Sequence, residues 1–97
     1  MKQYIVITGA SSGIGKEAAK VFAAHGKNLI LVARRQERLE KLKEEIQRSF
    51  SEIDVMVQTA DLSAPEEAYR LYESLKPYTV STWINNAGRG YQSKIAD

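Results

Sequence analysis

The sequence has no cysteine and a single histidine, His25. A disulfide framework, a thiolate metal centre and a multi-histidine metal centre are thereby excluded. Proline occurs only twice, at Pro65 and Pro77, so little interrupts regular structure. No apolar run approaches the ~20 residues that span a bilayer. Met1-Lys2-Gln3 runs straight into an apolar stretch, with no signal peptide. A soluble, cytoplasmic protein without membrane contact is the expectation. An excess of one charge is also missing. Fourteen Lys and Arg stand against 12 Asp and Glu, a net charge of +2, which gives no electrostatic demand for nucleic acid or an anionic surface. Ninety-seven residues allow one small domain with a modest core.

What is present is concentrated near the start. Ile5-Val6-Ile7-Thr8 reads as a buried parallel strand, and Gly9-Ala10-Ser11-Ser12-Gly13-Ile14-Gly15 follows it at once. Gly9 can turn sharply out of the strand because glycine takes positive φ without steric cost. Gly13 lets the backbone come close to a phosphate, and Gly15 lets the next helix pack tightly. The first N–H groups of that helix have no internal partner and sit at its positive end. A strand, a glycine-rich turn and a helix in this order make a site for a dinucleotide pyrophosphate.

The remaining elements alternate. Tyr4–Thr8 is expected as a strand and Gly13–His25 as a helix, with Ile14, Ala18, Val21 and Phe22 on one face. Gly26 stands where a left-handed cap belongs. Leu29–Val32 reads as a second strand. Arg35–Phe50 reads as a helix buried along Leu39, Leu42 and Ile46, with a Glu37–Lys41 pair on its outer face. Val55–Thr59 is a third strand. Ser63-Ala64-Pro65-Glu66 resembles a capping box opening a helix that continues to Leu75 and is ended by Pro77. Thr82–Asn85 is a fourth strand. This is an α/β pattern: half of a Rossmann-like doubly wound parallel sheet, with strand order 3-2-1-4. Its fourth strand would be an open edge, so the expectation is a truncated nucleotide-binding domain over residues 1–97, a fragment of a longer product.

Three further groups carry chemistry. Arg34 and Arg35 follow the second strand, about 20 residues beyond the glycine turn, where an acid would bind a ribose 2′-hydroxyl and an arginine accommodates a 2′-phosphate. They stand at a helix start, where cations are disfavoured, and guanidinium suits a phosphate. NADP is therefore expected ahead of NAD. Asp61, with Leu62, follows the third strand and could reach an adenine amino group, although an aspartate there also suits a turn. Asn85-Asn86-Ala87-Gly88 closes the fourth strand beside the topological switch point. The asparagines can tie neighbouring loops, while Ala87 and Gly88 leave room against the backbone.

Taken together, these motifs resemble the amino-terminal, cofactor-binding half of the short-chain dehydrogenase/reductase family. Thr8-Gly9-Ala10-Ser11-Ser12-Gly13-Ile14-Gly15 is similar to that family's cofactor motif, Asp61-Leu62 to its adenine contact, and Asn85-Asn86-Ala87-Gly88 to its fourth-strand motif. The resemblance covers the whole chain. It implies a Rossmann fold and NAD(P)-dependent interconversion of an alcohol and a carbonyl compound. It implies that Gly9, Ser11, Ser12, Gly13, Ile14 and Gly15 face the phosphates and ribose, and that Arg34 occupies the basic position of NADP users. Ser12 stands where some NADP users carry a second basic residue. The family's catalytic asparagine, serine and tyrosine–lysine pair lie beyond the fourth-strand motif, so no catalytic residue is assigned in this chain.

Tyr72 and Lys76 have tyrosine–lysine spacing, but they fall in the third helix, away from the expected carboxyl edge, and read as structural. Tyr91, Ser93 and Lys94 have the wrong spacing. His25 reads as surface and Trp83 as sheet packing. The expected partners are a dinucleotide and, in the full-length parent, a small alcohol or carbonyl substrate; a homo-oligomer is compatible with the sequence. The competing reading is a stand-alone nucleotide-binding or redox-sensing module without catalysis.

Overall fold

The alternation of apolar runs and amphipathic stretches produces a four-stranded parallel sheet. The computed structural model describes residues 2–11 and 13–86. Strands β1 (Gln3–Thr8), β2 (Asn28–Ala33), β3 (Val55–Thr59) and β4 (Thr79–Asn85) alternate with helices α1 (Gly13–Ala24), α2 (Gln36–Ser49) and α3 (Pro65–Leu75). The order across the sheet is β3-β2-β1-β4, every pair parallel. That order decides which face each helix covers. The chain steps one way from β1 to β3, then passes back over the sheet to β4. Right-handed crossovers therefore put α1 and α2 on one face and α3 on the other.

Two clusters record this division. Ile5, Ile7, Leu29 and Leu31 pack with Ala19, Ala23, Leu39, Leu42 and Ile46. Tyr4, Val6, Ile30 and Val32 pack with Leu71 and Leu75. Strands β1 and β2 are buried on both faces, which is why they read as unbroken apolar runs. The fold is Rossmann-like. Among the described residues, no helix is long and apolar enough to cross a membrane.

The structure departs from the sequence reading in four places. Helix α1 buries Gly15, Ala19 and Ala23, while Ile14 and Val21 are exposed by 77% and 54%. The stripe of small residues lets α1 lie close to the sheet, which turns the bulky β-branched residues outward. Strand β4 begins at Thr79 rather than Thr82. As an edge strand it tolerates the polar Ser81 and Thr82, and its pairing with β1 shifts register between Tyr4 and Ile5. The N-cap of α3 is Ala64, with no side-chain cap. The helix starts one residue later than the motif suggests, and the Ser63 hydroxyl donates to Asp61 Oδ1 at 2.6 Å. On α2, Gln36 donates to Glu40, and no Glu37–Lys41 ion pair forms among the described residues. An exposed pair of that kind gains too little to hold two long side chains. The expected cap at Gly26 is present: its φ is 78°, and Lys27 and Gly26 N–H donate to the carbonyls of Phe22 and Ala23.

The amino edge of the sheet is closed by one polar cluster. Tyr4 Oη donates to Asp54 Oδ2 at 2.6 Å, Asn28 Oδ1 accepts from the Asp54 N–H at 2.9 Å, and Asn28 Nδ2 donates to the Gln3 carbonyl. Lys2 pairs with the same carboxylate at 3.5 Å. The Tyr4 hydrogen bond holds the Asp54 carboxyl below its ordinary value of 3.8. The same bond, with burial, pushes the Tyr4 phenol up to about 12. Each shift has a sign. Stability from Asp54 is present above its ordinary pKa and lost as pH falls through the depressed value. Stability from Tyr4 is present below pH 10 and lost as pH rises towards 12. Tyr4→Phe is expected to lower unfolding free energy by about 1 kcal/mol at neutral pH, the modest value reflecting a partly exposed carboxylate. It should also flatten both limbs of the stability–pH profile in urea titrations. Unchanged acid and alkaline limbs would contradict this role.

Candidate nucleotide-binding site

The opposite, carboxyl edge of the sheet is open. The tips of β1, β2 and β4 are level there, with Thr8 paired to Val32 on one side and Asn85 on the other. The neighbours of β1 continue in opposite directions, so a crevice forms at this point. It holds a cavity of about 710 Å³. Gly9 and Ser11 border it from the first turn, Arg34, Arg35 and Arg38 from the start of α2, and Asp61, Leu62 and Ser63 from the loop before α3. Asn85 and Asn86 close it from β4.

The first turn is held by its neighbours. The Ala10 N–H donates to the Val32 carbonyl at 3.1 Å. Buried Thr8 accepts from the Asn86 N–H at 3.0 Å and donates to Asn85 Oδ1 at 3.0 Å. Asn86 Nδ2 donates to the Gly9 carbonyl at 3.4 Å. The two asparagines thus sew the ends of β1 and β4 together, as their place in the sequence suggests. Gly9 and Gly13 have φ of 66° and 48°, a backbone that favours glycine. A Cβ on Gly13 would meet nothing within 4 Å, so the space over the turn is open. Gly15 is the reverse: a Cβ there would run into the Gly9 carbonyl and stand 2.8 Å from Asn86 Nδ2.

Of the residues singled out in the sequence, the structure brings Gly9, Ser11, Arg34, Arg35, Asp61, Leu62 and Asn86 around one cavity. Gly13 and Ile14 border a shallow groove on the outer side of α1 instead. Gly15 is buried beneath the turn. Ser12, Ala87 and Gly88 lie outside the described residues, as do Tyr91, Ser93 and Lys94. The turn role of Asp61 is real. Its Oδ1 accepts from the Ser63 N–H at 3.1 Å as well as from the hydroxyl. Those bonds, and more weakly the charge of Arg34, hold its carboxyl below the ordinary range. Its own N–H donates to Glu67 Oε1 at 2.7 Å, which fixes the loop against the first turn of α3.

Sequence reading missed three wall residues. Tyr72 and Trp83 both line the cavity, stacked with centroids 5.1 Å apart at 22°. Trp83 also packs on the sheet cluster as expected. Helix α3 descends from the carboxyl edge, and the long Tyr72 side chain reaches back to the wall that its sequence position did not suggest. Lys76 pairs instead with Glu73 at 3.2 Å. Arg38 was hidden among the charges of an amphipathic helix. His25 is exposed, as expected, with Nδ1 2.9 Å from the Val21 carbonyl.

A glycine turn between β1 and α1, at the switch point of a parallel sheet, defines a dinucleotide-binding fold. The family profile described as short chain dehydrogenase matches residues 3–97. The chain belongs to the short-chain dehydrogenase/reductase family. It is 43% identical over 94 residues to a very-long-chain 3-oxoacyl-CoA reductase of Kluyveromyces lactis, which covers 95% of this chain and 27% of that protein. Its structure is similar to that of a short-chain dehydrogenase from Sphingobium yanoikuyae in complex with NADPH, with TM-score 0.83, 34% identity and coverage of 96% and 36% of the two chains. It is also similar to the L-sorbose reductase of Gluconobacter frateurii complexed with NADPH and L-sorbose, with TM-score 0.82, 33% identity and coverage of 97% and 36%. The chain therefore spans roughly a third of the length of the relatives it matches.

Proposed function

We propose that this chain is the cofactor-binding part of an NADP(H)-dependent short-chain oxidoreductase that interconverts an alcohol and a carbonyl compound, and that the 97-residue piece alone catalyses nothing. The observation that carries the reading is the single cavity bordered at once by the glycine turn, the arginines of α2, the Asp61 loop and Asn86. Its parts suit the group. Gly9 and Ser11 bring the glycine turn to the cavity. Arg34 and Arg35 border the same cavity, and their guanidinium groups suit a 2′-phosphate. Asp61 keeps Oδ2 free of hydrogen bonds among the described residues, available to an adenine amino group. Asn86 closes the far side of the turn. Bound nicotinamide supplies or accepts hydride at a substrate carbon. The chain's own residues bind and orient it.

The expected inactivity draws its support from the one tyrosine–lysine pair among the described residues. Tyr72 and Lys76, the pair with the expected spacing, are engaged with Trp83 and Glu73 respectively.

Trp83, the single tryptophan, lines the cavity and reports on its occupancy. Titration with NADPH is expected to quench its fluorescence with weak, saturable binding, and NADH should bind more weakly. Equal response to the two cofactors would remove the NADP assignment, and no response to either would remove the cofactor reading. Turnover of a panel of aldehydes by the verified 97-residue chain would overturn the claim of inactivity.

A further inference from the structure

We infer that Arg38 is a direct ligand of the 2′-phosphate and sets the chain's discrimination between the two nicotinamide dinucleotides together with Arg34. This rests on the proposed NADP reading and deepens it. Three guanidinium groups, from Arg34, Arg35 and Arg38, border the same cavity within five residues of chain. They stand at the start of α2, where Arg35 is the N-cap, extended and without a side-chain cap bond. Cations are disfavoured at this end of a helix, and three together repel one another.

Among the described residues, none of the three forms an ion pair. Their surroundings nevertheless differ. Arg34 has Asp61 close enough to bias that carboxyl's protonation. Arg38 lies one helical turn further on, in the third position of α2, with its side chain exposed at the cavity wall. Arg34 lies before the N-cap and Arg38 in the first turn of α2, and both border the same cavity. A phosphate monoester carries close to two negative charges at neutral pH. One guanidinium does not match that charge, whereas two do. A fork of N–H donors from each would hold two edges of the phosphate.

The test uses the full 97-residue chain and compares adenosine 2′,5′-bisphosphate with adenosine 5′-monophosphate by calorimetry, for the wild type and for Arg38→Ala and Arg38→Lys. The wild type is expected to prefer the bisphosphate. Arg38→Ala should weaken bisphosphate binding about tenfold and leave the monophosphate unchanged, with Arg38→Lys between them. A wild type indifferent to the 2′-phosphate overturns the NADP reading and this inference with it. A wild type that discriminates, with Arg38→Ala discriminating equally well, overturns this inference alone. Loss of both ligands in Arg38→Ala would show a structural role for the residue and overturn it as well.

Discussion

Gly15→Ala is expected to destabilise the fold by about 2 kcal/mol, lowering the melting temperature by roughly 10 °C. Two effects compete at this position. Alanine is a better helix former than glycine by about 1 kcal/mol. Against that, the added methyl meets the Gly9 carbonyl and Asn86 Nδ2. The obstacle is backbone, and that backbone is fixed from two sides by the Ala10–Val32 bond and by Asn86. It cannot give way cheaply, so overpacking, at about 3 kcal/mol, wins. The collision falls on the turn and on Asn86, so the site should suffer with the fold. Gly13→Ala makes the contrast. Space is open there, and the cost is only the positive φ of 48°, about 1 kcal/mol. Urea denaturation of the two variants distinguishes them; Gly15→Ala as stable as the wild type would mean that α1 can shift off the turn.

The fold was legible in the sequence to the extent that burial shaped it. Strands β1 and β2 are enclosed on both faces, so their apolar runs left little choice, and the order β3-β2-β1-β4 followed from alternation and crossover handedness. The misreadings came where a different force decided. In α1, Ala18 and Phe22 pack against the core, but close approach to the sheet selects Gly15, Ala19 and Ala23 for burial and leaves Ile14 and Val21 outside. In α3, a capping motif at Ser63 was present, but the N-cap position fell on Ala64, and the Ser63 hydroxyl donates to Asp61. In β4, an edge position permitted serine and threonine that pattern reading left as loop. The site was legible wherever a motif is local, as at Gly9, Arg34 and Asn86. It was not legible for Tyr72, Trp83 and Arg38, which reach the cavity only through the tertiary path of α3, β4 and α2. No local pattern encodes that convergence.

Arg34→Asp is expected to reverse the cofactor preference, shifting the ratio of NADPH to NADH affinity by about a hundredfold, or roughly 2.7 kcal/mol. On the proposed reading, the change removes a charge-assisted guanidinium contact to the 2′-phosphate and sets a carboxylate against it. The carboxylate would in turn reach the 2′-hydroxyl of NADH, so that the loss of one ligand is accompanied by a gain in the other. The scaffold should tolerate the exchange. Residue 34 is exposed, and the neighbouring tips are tied by backbone bonds from Ala10 to Val32 and from Ala60 to Ala33. Asp61 loses the favourable charge of Arg34 but keeps both bonds from Ser63, which are the larger causes of its depressed pKa. An aspartate near the positive end of α2 is itself favoured. The melting temperature should therefore move little while the preference inverts. Fluorescence titration of Trp83 with each dinucleotide at two salt concentrations measures this, and the wild-type preference for NADPH should shrink as salt rises. If Arg34→Asp weakens both cofactors equally, residue 34 acts on the fold of the cavity and not on the 2′-phosphate.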